Sequence, residues 1–184
     1  MAFVIETAEL TKHYGFWLWR RKEAALRQLT LAVPEGAIFG FLGPNGAGKT
    51  TTIRLLMQLI HPTAGQATVL GRPAGDLEAK RQIGFLPDSP AFNPYLTAAE
   101  FLGICARLLR LPADVRSQRI AAALATVGME PHAREKLGGF SRGMLQRIGI
   151  AQAILNQPRL LILDEPLVGL DPHGRQELLD LIRE

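Results

Sequence analysis

Residues 43–52 read GPNGAGKTTT, and these residue types prescribe a backbone path and a ligand class together. Gly43, Gly48, Lys49 and Thr50 match the pattern G-x-x-x-x-G-K-[ST]. The glycines let the chain curl so that consecutive N–H groups face inward at the start of a helix, whose dipole also favours negative charge. Lys49 is placed to reach β and γ phosphates and the Thr50 hydroxyl to ligate magnesium. The plainer alternative is a glycine-rich turn with an incidental lysine. Average residue frequencies put an accidental match in a chain of this length on the order of one in a hundred. The candidate contacts for a nucleoside triphosphate are therefore Gly43, Pro44, Asn45, Gly46, Ala47, Gly48, Lys49, Thr50 and Thr51.

Outward from this loop, the pattern predicts a strand before it and a helix after it. FVIETAELTKHYG and ALRQLTLAVPEGAIFGFLG alternate β-branched and polar residues between glycine and proline breaks, as half-buried strands joined in a hairpin do. Beyond the loop, Ile53, Leu56, Met57 and Ile60 recur at helical spacing up to Pro62. QATVLG and IGFLP carry short strand signals, and residues 89–157 then turn helical. Thr97 and Glu100 form a capping-box pair, Ile120, Leu124 and Val127 make one helical stripe, and Met144, Ile148, Ala151 and Leu155 another. RLLILDEP reads as an apolar central parallel strand, buried on both faces, that ends in two carboxylates. HGRQELLDLIRE follows as an amphipathic segment, and no internal repeat or low-complexity run is visible.

Composition narrows the function classes. The 184 residues suffice for one domain with a small inserted lobe. The net charge of +4 is spread along the chain, which suits a nucleotide and does not call for nucleic acid. Cys105, the one cysteine, excludes a disulfide framework within the chain. Its apolar surroundings, EFLGICARLL, predict a buried core thiol, not a nucleophile, and a reducing compartment. No charged-then-apolar leader opens the chain, and its longest uncharged apolar stretch, IAAALATVGM, falls short of the ~20 residues a spanning helix needs. A soluble chain is expected. His13, His61, His132 and His173 lack metal-ligand spacing. FWLWRRK pairs tryptophans with basic residues and reads as an exposed hairpin tip, with a membrane-grazing loop as the alternative.

Two further sites carry chemistry. Asp164 ends the strand LLILD, which is how a carboxylate is delivered to a magnesium ion beside a phosphate loop, and the adjacent Glu165 suits a general base for water attacking a γ phosphate. Capping of a strand end is the bland reading. In FSRGMLQR, Ser141 and Gly143 open a second helix, where a hydroxyl and a close glycine N–H make a second anion site. Read alone, Ser141 is an ordinary N-cap.

The order GPNGAGKTT, FSRGMLQR, LILDEP, GLDP resembles the nucleotide-binding subunit of an ATP-binding cassette (ABC) transporter, from Phe3 to the end of the chain. The resemblance implies an α/β P-loop NTPase with a RecA-like parallel-sheet core, an N-terminal antiparallel β subdomain and an inserted helical subdomain at about residues 89–157, all within one domain, 1–184. It implies ATP and Mg2+ as ligands and a head-to-tail homodimer in which Ser141 and Gly143 of one copy hold the γ phosphate on the other copy's P-loop. Tyr14 would stack on adenine, with Phe16, Trp17 and Trp19 close enough to compete. Asp171 would belong to the loop between the two ATP sites. The metal would be held by Thr50, Asp164 and Asp88, with Glu165 and Lys49 catalytic. Separate membrane-spanning permease subunits, with this chain peripheral on the cytoplasmic face of the membrane and hydrolysis powering export, complete the expectation. A nucleotide-binding module that does not turn over is the alternative. A soluble ABC ATPase of translation or DNA repair would carry a second cassette or a long coiled-coil insertion, which this sequence lacks.

The sequence departs from the family pattern twice. Asp88 stands where the family usually has a glutamine, and an ionised acid accepts hydrogen bonds without donating them, which predicts slower hydrolysis. The family's switch histidine lies beyond the GLDP loop, and the chain reaches Glu184 without it; His173 is too near Asp171 to serve. The expectation is a C-terminally incomplete domain whose central sheet has an unpaired edge beside its most apolar strand.

Overall fold

The computed structural model describes residues 2–14, 24–168 and 170–183. It consists of two compact units, Met1–Lys80 and Arg81–Glu184, each with its own apolar core.

In the first unit, β1 (Phe3–His13), β2 (Ala24–Pro34), β3 (Ala64–Val69) and the two-residue β4 (Arg72–Pro73) form an antiparallel sheet in the order β2-β1-β3-β4. β1 and β2 pair as the expected hairpin arms, from Phe3 opposite Pro34 to His13 opposite Ala24. The FWLWRRK tip that would join them lies outside the described residues. Register shifts between Thr7 and Leu10, with left-handed backbone at Glu9 and Gln28, bend the pair. α1 (Lys49–Leu56) lies on the sheet through Leu55, which packs with Leu10 and Leu26. α2 (Leu77–Lys80) is a single turn capped by the Asp76 carboxylate, which accepts the Ala79 N–H at 2.9 Å.

Two expectations for this unit are corrected. α1 ends at Leu56, not before Pro62; its buried residues are Thr52, Leu55 and Leu56, and Ile60 reaches the same core from the turn beyond. Packing on the sheet, not the spacing of the four apolar residues, selects that face. No strand leads into the glycine loop: β2 stops at Pro34, residues 37–42 are irregular, and Ile38, Phe39 and Leu42 are exposed. A strand exists only where neighbours take its N–H and C=O groups, and among the described residues none pairs with this segment.

The second unit is built on two parallel strands, β5 (Ile83–Leu86) and β6 (Leu160–Leu163), with Leu86 opposite Leu163. Between them in sequence come α3 (Ala98–Leu108), α4 (Ala113–Thr126) and α5 (Arg142–Ile154), and α6 (Pro172–Arg183) follows. α3 starts with the predicted capping box: Thr97 Oγ1 accepts the Glu100 N–H, and Glu100 Oε2 accepts the Thr97 N–H at 2.8 Å. The Thr97 N–H and the Thr97 hydroxyl, which also donates to Oε2 at 3.0 Å, hold the Glu100 carboxyl below its ordinary pKa. Leu102, Ala106, Leu124, Val127, Ile148, Ala151 and Leu155 form the core, matching both predicted stripes. Cys105 packs at its margin, half-buried where full burial was expected; burial raises its pKa, against a nucleophilic role.

β6 has β5 as its strand partner, and Leu160, Leu161 and Leu163 are only half-buried, so the expected burial on both faces is not met. α5 closes over β5 at Gly84, where a Cβ would stand 2.1 Å from the Ala153 carbonyl oxygen and 2.9 Å from Pro158 Cγ. Gly84→Ala is therefore expected to lower stability by about 1–3 kcal/mol. Gly103→Ala on α3, whose Cβ would meet only Ile120 Cδ1 of α4 at 4.0 Å, is expected to be neutral or stabilising. Urea unfolding of the two variants beside the parent checks the opposite signs.

Candidate functional site

The glycine loop takes the predicted path. Gly46 and Gly48 have φ of 83° and 91°, and Gly48 is the N-cap of α1. A Cβ at Gly48 would lie 2.5 Å from the Ala25 carbonyl oxygen of β2, so glycine is required there for its left-handed backbone and for space. With no side chain to cap α1, the N–H groups of the first turn point out of the helix end. The Gly48 carbonyl is used inside the helix, accepting the Thr52 N–H at 2.8 Å and the Thr52 hydroxyl at 2.9 Å. Lys49 bends back over the loop and donates to the carbonyls of Gly43 at 2.8 Å and Pro44 at 3.1 Å. The Ala47 N–H closes the turn on the Pro44 carbonyl. Residues 43–47 are exposed, and Thr50 and Thr51 begin the helix. The result is an ammonium, a hydroxyl and a helix N-terminus with no side-chain cap within one turn, a set suited to a polyphosphate.

Tyr14 is exposed at the end of β1, with Lys12 Nζ 5.5 Å from its ring centroid. Lys12 also donates to the His61 carbonyl at 2.6 Å. Phe16, Trp17 and Trp19 lie outside the described residues.

In the second unit the carboxylates gather at the C-terminal ends of the two parallel strands, the edge at which α/β sheets bind ligands. Asp164 follows Leu163, is 3% exposed, and donates its N–H to the Leu86 carbonyl at 2.9 Å. Glu165 is exposed and left-handed, φ 51°. Asp88, two residues beyond β5, is exposed at the same sheet edge.

Ser141 is the N-cap of α5, its Oγ accepting the Met144 N–H at 3.3 Å. A Cβ at Gly143 would meet nothing closer than Leu170 Cδ2 at 3.5 Å, so this unit's own packing would accept a side chain there. Asp171 caps α6 through Oδ1 and the Gly174 N–H at 3.1 Å. Aspartate at the N-cap with proline next is itself a legible helix start. Sequence reasoning missed the ties that fix α5: Gln146 Nε2 donates to the Pro166 carbonyl at 2.9 Å, Arg147 NH1 to the Val127 carbonyl at 3.0 Å, and Arg147 NH2 pairs with Glu177.

A glycine-nest phosphate loop, an antiparallel β unit and a parallel sheet with carboxylates at its C-terminal edge define an α/β P-loop nucleotide-binding fold. The ABC transporter family model matches residues 26–168, and the chain belongs to that family. It is 44% identical over 183 residues to an uncharacterised ABC transporter ATP-binding protein of Nostoc, covering 97% of this chain and 54% of that protein. It is 43% identical to the bacitracin transport ATP-binding protein BcrA of Bacillus licheniformis, over 99% of this chain and 57% of BcrA. The chain thus spans about half the length of these curated relatives. A dimeric ATP-binding cassette solved in a post-hydrolysis state with ADP and Pi superposes with a TM-score of 0.84 at 26% identity, over 97% of this chain and 81% of that one.

Gly48→Ala is expected to cost more than about 1 kcal/mol and to abolish nucleoside triphosphate binding. Unfolding and equilibrium ATP titration of the same preparation check both effects.

Proposed function

We propose that this chain is the ATP-binding and ATP-hydrolysing part of an ABC transporter subunit, working as a homodimer on the cytoplasmic face of a membrane and powering export through separate membrane-spanning subunits. The observation that carries the reading is the loop at residues 43–50, where Gly48, Lys49 and the open end of α1 form one polyphosphate cradle. Export is suggested by the likeness to a Nod factor export ATP-binding protein of Cupriavidus pinatubonensis, 35% identical over 98% of this chain, and pairing of two copies by the likeness to a dimeric cassette. Among the described residues no helix is long and apolar enough to cross a membrane; the assignment of the spanning segments to partners rests on the likeness to proteins named as ATP-binding proteins of transporters.

In this reading Gly43, Pro44, Asn45, Gly46, Ala47, Gly48, Thr50 and Thr51 wrap the phosphates with N–H groups and hydroxyls, and Tyr14 carries the adenine. Lys49 releases the Gly43 and Pro44 carbonyls and turns to the β and γ phosphates. The Thr50 hydroxyl and the Asp164 and Asp88 carboxylates are the hard oxygen donors that Mg2+ takes; when bound, the ion neutralises charge on the β- and γ-phosphate oxygens. Glu165, exposed at the sheet edge, accepts a proton from the attacking water. Ser141 and Gly143 hold the γ phosphate bound to the second copy, which accounts for a glycine that this chain's packing does not demand. Asp171, in the loop that caps α6, lies between the two sites. Residues 89–157 form the helical subdomain that passes the motion to the permease, within a single ATP-binding domain, 1–184. Asp88 adds negative charge beside the γ phosphate, so turnover is slow for the family.

Lys49→Ala is expected to weaken ATP binding about tenfold or more. Glu165→Gln is expected to keep the affinity and to slow phosphate release about a hundredfold or more. Calorimetric titration and a phosphate-release assay read the two effects. Parent-like turnover by Glu165→Gln would remove it as the base, and binding without turnover by the parent would favour the non-hydrolysing module.

A further inference from the structure

Glu165 keeps a left-handed backbone without being glycine, a conformation that costs on the order of 1–2 kcal/mol. Such a residue persists only where its surroundings over-determine it. Three features do so here. The Val168 N–H closes the turn on the Glu165 carbonyl at 3.2 Å. Pro166 has its φ fixed by its ring. The remaining freedom, rotation of the peptide after Pro166, is stopped by Gln146, whose Nε2 donates to the Pro166 carbonyl at 2.9 Å. Gln146 sits three residues beyond Gly143 on α5, hence on the same helical face, one turn from the Ser141 cap. Arg147, the next residue, fastens this part of α5 to the Val127 carbonyl and to Glu177. The helix that begins at Ser141 and the turn that carries Glu165 are therefore joined by a side-chain amide, although twenty residues of sequence separate Gln146 from Pro166.

We infer that Gln146 is a positioning residue for hydrolysis: its amide sets the direction of the Glu165 carboxylate through the Pro166 carbonyl. It thereby makes occupation of the Ser141 end of α5 by one copy's nucleotide felt at the base serving the other site. The inference rests on the reading of Glu165 as the general base. It asks more of Gln146 than strapping a helix, because a strap needs no particular effect on chemistry.

The test uses Gln146→Met, which keeps length and apolar bulk but removes the donor, and Gln146→Lys, which restores a donor of sufficient reach. Gln146→Met is expected to lower kcat about tenfold to a hundredfold with KM for ATP unchanged, and Gln146→Lys to recover most of it. In a Glu165→Gln background, Gln146→Met should cause no further loss. Independently of turnover, amide hydrogen exchange at the Val168 N–H should quicken in Gln146→Met while residues 43–52 exchange as in the parent. Unchanged kcat and unchanged Val168 exchange in a folded Gln146→Met protein would overturn the inference. A further drop in the Glu165→Gln background would also overturn it. A parent that binds but never hydrolyses ATP would instead bring down the proposed function, and faster Val168 exchange would still support the strap between Gln146 and the turn.

Discussion

At Gly48 the backbone turns left-handed against the carbonyl of Ala25, which stands 2.5 Å from where a Cβ would be. That contact seats the glycine loop on β2 and fixes where α1 begins. The placement of Lys49, Thr50 and the open N–H groups follows from it, because each is one or two residues away on a helix whose start cannot slide. α1 is in turn held down by Leu55 against Leu10 and Leu26. The proposed phosphate site thus follows from how a short helix packs on an antiparallel sheet, with Gly48 the residue that this packing constrains most closely.

The second unit solves a different problem. Its two strands are too few to make a core alone, and α3, α4 and α5 supply one through Leu102, Leu124, Val127 and Ile148. Parallel strands bring both C-terminal ends to one edge, which is why Asp88, Asp164 and Glu165 share it although most of a helical lobe separates them in sequence. α5 connects that lobe to the edge: its N-terminus is the Ser141 cap, its middle holds the Pro166 carbonyl, and its last turn closes on Gly84. This helix ties the lobe to the turn that carries Glu165.

Local rules made much of this legible from residue types. The turn of the glycine loop, the Thr97–Glu100 box and the Ser141 helix start depend on neighbours within a few positions, and each stands where the pattern put it. What was not legible depends on distant partners. Gln146 to Pro166 and Arg147 to Glu177 join residues brought together only by the finished unit. The buried face of α1 was misread because sheet packing, not apolar spacing, chose Leu55. The missing strand at residues 37–42 has the same cause: its residues are apolar, but a strand is made by neighbours, and Ile38, Phe39 and Leu42 are exposed.

In the proposed dimer one copy's P-loop works with another copy's α5 terminus. Mixing two variants, each defective in one half, tests it: Lys49→Ala lacks the cradle, and Gly143→Asp sets a carboxylate where the partner's γ phosphate would sit. Each variant alone should be silent in phosphate release, and an equal mixture should hydrolyse ATP, because the mixed dimer keeps one intact pair of halves. A mixture as silent as its components, or full activity of Gly143→Asp alone, would rule this pairing out.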